Sequence, residues 1–273
     1  MSKYAPPKGK MVAAGEYELH YLTYGDGPAV VFLHGSGPGA SAYSNFKHNI
    51  DAVVNAGHQA ILIDMVGFGY SSKPEGLDYT TELFSSTVKA ALDSIGVTEC
   101  TLVGNSLGGA ICIHLALNYP KMVQRLVMMA PGGIEERETY FAMPGITKMV
   151  GAFVDGGLDR TGLRSVLETL VFDPKWVTDE LIEERFCILE TQPTDVLGRM
   201  VIPSMGDQLD KLECPIYGFW GQQDQMTPAS GSTKFLEQSD DCQFLMLANC
   251  GHWVMVEHQT VFNNMLSGVL TSS

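Results

Sequence analysis

Short apolar runs alternate along this chain with longer stretches whose apolar positions recur every three or four residues. Runs of strand length fall at Tyr17–Leu22, Ala29–Leu33, Ala60–Asp64, Thr101–Val103, Leu126–Met129, Ile216–Trp220 and Gln243–Leu247. Between them, segments such as Thr81–Ser94, Leu107–Tyr119 and Val261–Leu270 carry the helical pattern. Buried-type strands alternating with helices predict an α/β fold, a mostly parallel central sheet with helices on both faces. Tyr17–Leu22 predicts an antiparallel strand at the edge of that sheet.

The alternation stops after Pro131-Gly132-Gly133. From Ile134 to about Gly206 no strand pattern is found, and the helical stretches Arg160–Leu170 and Asp179–Leu189 take over. Strand and helix alternate again from Cys214. The expected organisation is a sheet core of residues 1–133 and 207–273, split by a helical insertion of residues 134–206. The insertion leaves from the carboxyl end of a strand, where an α/β sheet binds its ligands.

Charge narrows the partners. The 273 residues include 17 basic and 31 acidic side chains, a net charge of −14. That balance argues against nucleic acid or an anionic membrane surface as partner. The six cysteines include no C-x-x-C pair, so no metal site is expected, and no other cofactor motif survives. Met11-Val-Ala-Ala is too short for a signal-peptide core, and no apolar run nears the ~20 residues of a membrane helix. A soluble cytoplasmic protein is expected, with a small molecule as partner and a homodimer or higher homo-oligomer as its assembly.

Three strand-end segments carry candidate chemistry. The first is Gly104-Asn105-Ser106-Leu107-Gly108, a G-x-S-x-G sequence between a strand and a helix. Glycine costs about 1 kcal/mol relative to alanine inside a helix, so Gly108 and Gly109 in the first turn need a reason. A sharp turn that strains the serine backbone supplies it, because neighbouring side chains would clash there. Such a turn presents Ser106 as a nucleophile and aims the Leu107 N–H and the helix dipole at the reaction centre.

The second is His34-Gly35-Ser36-Gly37-Pro38-Gly39-Ala40, directly after Ala29–Leu33. Gly35, Gly37 and Ala40 also match the dinucleotide pattern G-x-G-x-x-A, with Asp64 ending the next strand. That pattern requires the glycines to open a helix directly, and here Pro38 and the polar Ser41–Asn45 stretch intervene. The favoured reading is a loop that offers backbone N–H groups, chiefly that of Ser36, to an oxyanion.

The third is Asn249-Cys250-Gly251-His252-Trp253, after the last strand. Of the seven histidines, His252 alone sits on a late strand-end loop, and it is the candidate base. Asp224 follows Ile216–Trp220 and completes the order serine, acid, histidine. Asp240 and Asp241 are rivals, but they precede a strand and so belong at the opposite edge. Asp224 would hold the His252 tautomer and stabilise its imidazolium.

With these residues in view the chain resembles the α/β-hydrolases, and within them the meta-cleavage product hydrolases. The matching segments are HGSGPGASAYSNF, DMVGFGYS, LVGNSLGGA, APGG, ERF and CGHWVMVEH. The resemblance implies a cofactor-free hydrolase that splits the C5–C6 bond of a 2-hydroxy-6-oxohexa-2,4-dienoate. The products are 2-hydroxypenta-2,4-dienoate and a carboxylic acid. It also implies that Gly35, Gly37, Asn45, Asn105, Arg185 and Trp253 line the substrate site. His252 would additionally help convert the dienol to its keto form. The family's pattern leaves two mechanisms open, attack by Ser106 itself or by a water it activates.

Arg185 can be read independently of the resemblance. Leu181, Arg185 and Leu189 share one helical face. An arginine on an apolar stripe is costly unless paired. Glu183, Glu184 and Glu190 are structural candidates, and a substrate carboxylate is the functional one. Two other functions remain as alternatives: a carboxylesterase on the same scaffold, and a receptor that binds a ligand without turning it over.

Overall fold

Along Ala29–Leu33 the side chains of Val30 and Phe32 join one apolar cluster, while Val31 and Leu33 join another. That period of two, with both faces buried, is the signature of a sheet covered by helices on each side. The computed structural model describes residues 4–5, 7–154, 158–193 and 196–272. Its strands are β1 (Lys10–Ala14), β2 (Tyr17–Tyr24), β3 (Ala29–Leu33), β4 (Gln59–Ile63) and β5 (Tyr79–Thr80). They continue with β6 (Cys100–Asn105), β7 (Val123–Met129), β8 (Met200–Val201), β9 (Ile216–Gly221) and β10 (Cys242–Leu247). Eight of them form one sheet in the order β1-β2-β4-β3-β6-β7-β9-β10. β1 and β4 both pair antiparallel with β2, and the remaining pairings are parallel.

Helices Thr81–Ser94 and Leu107–Asn118 bury Phe84, Val88, Ile111 and Leu115 against one side of the sheet. Ile50–Asn55 and Gln259–Thr271 bury Val53, Phe262 and Leu266 against the other. The fold is the α/β arrangement that the alternation predicted.

Two expectations are corrected. Tyr17–Tyr24 is an interior strand, because β1 pairs with its outer side from Lys10↔Tyr21 to Ala14↔Tyr17. The five residues of β1 are too short to show a clear alternation. The stretch after Gly133 also holds a strand: Met200–Val201 pairs in parallel with Tyr79–Thr80. Two residues carry no periodicity.

Between β7 and β9 the chain forms helices Arg137–Phe141, Pro144–Val154, Arg160–Leu167 and Asp179–Leu189. Thr178 caps the last of these by accepting from Leu181 N–H. Of the insertion predicted over residues 134–206, positions 155–157 and 194–195 lie outside the described residues. No described helix is long and apolar enough to cross a membrane.

Candidate active site

β6 runs straight into helix Leu107–Asn118, and Ser106 forms the joint with φ 55° and ψ −116°. Such a conformation is costly for a residue with a side chain and persists only where its surroundings enforce it. Gly108 allows the close approach: a Cβ there would lie 2.0 Å from the Leu33 carbonyl oxygen. This is the physical reason for glycine in the first helical turn. The half-buried Ser106 faces a cavity also lined by Gly35, Ser36, Gly37, Asn45, Asn105, Arg185, His252 and Trp253. The fold thus gathers residues from the ends of β3, β6 and β10 and from two helices around one serine.

His252 and Asp224 meet at the ends of β10 and β9. His252 Nδ1 lies 2.8 Å from Asp224 Oδ2, and the two side chains are almost fully buried. Asp224 has further fixed donors. Its Oδ1 accepts from Met226 N–H (2.7 Å) and Thr227 N–H (3.1 Å), and its Oδ2 accepts from the Thr227 hydroxyl (2.8 Å). An Nδ1–H donated to Asp224 would leave Nε2 without a proton and able to act as a base. Ser106 and His252 open on the same cavity without a hydrogen bond between them here, a contact that characteristically tightens when substrate binds. The Ser36 and Leu107 N–H groups, both on the cavity wall, have no acceptor among the described residues.

Arg185 is 1% exposed, and no carboxylate among the described residues lies within 4 Å of it. It donates to Asn45 Oδ1 at 2.7 Å and to the Pro38 carbonyl at 3.3 Å, and its Nε is buried without a partner. Its guanidinium carbon sits 4.9 Å from the Trp253 ring centroid, a cation–π contact. Burial pushes its pKa down to about 10, against the opposing charge of Glu184. Of the structural partners suggested by sequence, Glu183 bonds Arg160, Glu184 bonds Lys47 at 2.8 Å, and Glu190 is exposed at the end of the helix. Asn45 also donates to Asn105 Oδ1 at 3.3 Å, which joins the polar residues in one line.

Asp64 shows why the dinucleotide pattern has no ligand to read. Its carboxylate accepts from Ala42 N–H (2.7 Å), Tyr70 N–H (3.0 Å) and His20 Nδ1 (2.8 Å). The polar Ser41–Asn45 stretch is itself a helix start, with Ser41 and Ser44 in a capping box. Asp64 therefore ties strand ends and a short helix together, and has no ribose to meet.

Comparison with known proteins agrees with this geometry. A family model described as the alpha/beta hydrolase fold matches residues 28–161. A 2-hydroxy-6-oxononadienedioate/2-hydroxy-6-oxononatrienedioate hydrolase of Paraburkholderia phymatum is 34% identical over 263 residues, covering 92% of this chain and 90% of that protein. A 2-hydroxy-6-oxo-6-phenylhexa-2,4-dienoate hydrolase of Burkholderia cepacia is 30% identical over 259 residues, covering 91% and 90%. The solved structure of a meta-cleavage product hydrolase from Pseudomonas fluorescens superposes with a TM-score of 0.84 at 27% identity, covering 95% of this chain and 96% of that one.

The chain belongs to the α/β-hydrolase family, among the meta-cleavage product hydrolases.

In this hydrolase a second, larger compartment opens from Ser106, with a volume of about 710 Å³. Ile146 and Met149 of helix Pro144–Val154, together with Met226, line both compartments. Three supporting residues escaped the sequence reading. Thr227 braces Asp224 through its hydroxyl. Glu257 accepts from the N–H groups of Gly251, Phe172 and Asp173, and so fastens the His252 loop to the chain between β7 and β9. Burial raises the Glu257 pKa, while those three donors oppose the rise. Lys47 pairs with the fully buried Glu184 and links the Asn45 helix to the Arg185 helix. No sequence motif marks these three: Glu257 and Lys47 act across long separations in the chain, and Thr227, three residues from Asp224, is shown as its partner only by the fold of the loop.

Proposed function

We propose that this hydrolase cleaves the C5–C6 bond of a 2-hydroxy-6-oxohexa-2,4-dienoate-type compound, giving 2-hydroxypenta-2,4-dienoate and a carboxylic acid. The observation that carries this reading is Arg185, a buried cation with no carboxylate of its own beside Ser106. A buried unpaired charge is expensive, and a substrate carboxylate would offset that cost. Arg185, Asn45, Asn105 and Trp253 form the dienoate end of the site, with Gly35 and Gly37 leaving the backbone open beside them. A Cβ on Gly35 would lie 3.1 Å from Asn105 Oδ1 and 3.3 Å from Ser106 Cβ. A Cβ on Gly37 would lie 3.4 Å from Arg185 Nη1.

The chemistry then needs one proton carrier and one nucleophile. His252 moves the proton of the 2-hydroxyl toward C5, which makes the chain an electron sink. Ser106, directly or through a water it activates, attacks C6 as His252 takes its proton. The oxygen on C6 becomes an oxyanion that meets the N–H groups of Ser36 and Leu107. The C5–C6 electron pair leaves with C5 and passes along the conjugated fragment to its 2-oxygen, which takes up the proton held by His252, and the acid departs with the oxygen of one water. Asp224 keeps His252 in the productive tautomer throughout. Residues 134–206 act as the lid that roofs this cavity, and residues 1–133 and 207–273 form the core beneath it.

The test is a direct one. Purified protein is mixed with a yellow dienolate and, separately, with a simple nitrophenyl ester. Loss of colour with one equivalent of each product supports the reading. Ester hydrolysis with an untouched dienolate would assign a carboxylesterase instead. Failure of Ser106 to react with a serine-directed reagent, with both substrates untouched, would leave a ligand receptor.

A further inference from the structure

From Ser106 outward the walls change character. The Arg185 side is polar, whereas the larger compartment is walled by Ala110, Ile146, Met149, Leu197, Ile202 and Met226. Its ionisable side chains among the described residues are Glu136, Arg137 and Tyr140. The Tyr140 oxygen is occupied as acceptor for Ile134 N–H and Glu135 N–H, and burial raises its pKa, so it stays neutral. Glu136 and Arg137 are exposed neighbours with opposite charges. The Arg137 guanidinium lies over the Phe141 ring at 4.9 Å. Phe141, Val150 and Val201 line the same compartment and are 49%, 42% and 49% exposed, so its apolar lining continues to the surface.

We propose that the group this enzyme accepts on C6 is a neutral aromatic one, a single ring or a fused pair, and that a C6 chain ending in a carboxylate is rejected. This rests on the dienoate reading above and adds the half of the substrate that reading leaves open. Three observations converge on it. A volume of about 710 Å³ falls in the ~300–1,000 Å³ range of pockets that enclose drug-sized ligands, and a methyl group would leave most of the wall uncovered. Met149 and Met226 flank the route from Ser106, and methionine sulfur packs favourably on ring edges while adapting to ring shape. Among the described residues no buried cation stands in this wall to receive a second carboxylate. Arg137 is a poor substitute, since an exposed ion pair contributes little and Glu136 opposes it. The chain therefore departs in specificity from its relative at 34% identity, whose name specifies dioic substrates.

The experiment compares four dienoates that differ only at C6: methyl, phenyl, naphthyl and carboxyethyl. One methylene in an apolar pocket already changes selection by about 10-fold or more. The phenyl compound should therefore exceed both the methyl and the carboxyethyl compound in kcat/KM by at least about 100-fold. The naphthyl compound should stay within about 10-fold of phenyl, since the pocket has room for both. Ile202→Lys puts a cation into the apolar wall and should lower the phenyl-to-carboxyethyl ratio by at least about 10-fold. A carboxyethyl or methyl compound turned over as well as phenyl would overturn the proposal, as would a ratio unmoved in the folded variant. If all four dienoates are inert, the dienoate reading itself fails, an outcome distinct from either of these.

Discussion

Arg185 reaches Asn45 across 140 residues of chain and donates to its Oδ1 at 2.7 Å. The pair joins two helices at the cavity wall, and its only charge is the guanidinium. Replacing Arg185 by Gln should cost the dienoate reaction about 30- to 1,000-fold in kcat/KM, or roughly 2–4 kcal/mol. Hydrolysis of a small neutral ester, which brings no carboxylate, should be nearly unchanged. Lysine should rescue only part of the loss, because it lacks the planar fork. Equal loss of both activities in Arg185→Gln would make the arginine a structural member of its helix.

Ser106, His252 and Asp224 are expected to act as one unit. Ser106→Ala or His252→Ala should each lower turnover by several orders of magnitude, and combining them should add little. Asp224→Asn should be less harmful than loss of the histidine, because it changes the tautomer and leaves the base in place. Single-turnover kinetics on the three variants would check the order.

At the Ser36 loop the role falls on the backbone. Ser36→Ala should keep most activity. Ser36→Pro removes the N–H and should cost about 100-fold or more while the circular dichroism spectrum is retained. Equal effects from the two would transfer the role to the hydroxyl.

Lys47 and Glu184 form a pair whose carboxylate is wholly buried. Lys47→Met should destabilise the protein by about 3–5 kcal/mol in urea unfolding, since it leaves that buried carboxylate without its cation and with the Tyr4 hydroxyl as a neutral donor. Adding Glu184→Leu should recover most of the loss, because the charge is then gone as well.

His34 gives the protein a pH dependence of known sign. Its Nδ1 donates to the Gly35 carbonyl at 2.8 Å, and its Nε2 accepts from Met65 N–H at 3.0 Å. The Met65 contact needs the neutral ring, and burial lowers its pKa below the ordinary 6.5. The unfolded chain therefore binds the extra proton first as pH falls. Stability should drop from about pH 6.5 downward, with a slope of at most about 1.4 kcal/mol per pH unit from this group. Comparing urea midpoints at pH 7.5 and 5.5 should show a smaller difference in His34→Gln than in the parent.

What the sequence determined by itself is local. The alternation of Ala29–Leu33, the helical stripe of Asp179–Leu189 and the glycines around Ser106 are all visible within a dozen residues. Backbone strain and side-chain periodicity are short-range effects, so the neighbours of a residue are enough to reveal them. The order of Ser106, Asp224 and His252 was legible for the same reason, since each sits at the end of a readable strand. Tertiary structure alone decided the pairings. β1 covers Tyr17–Tyr24, Met200–Val201 finds Tyr79–Thr80, Lys47 takes Glu184, and Arg185 is left with neutral oxygens. Several carboxylates stood near Arg185 in the chain, and spacing could not choose among them. A charge pairs with whatever the folded backbone brings within a few ångströms, and for Lys47 and Arg185 that is set by contacts between residues far apart in sequence.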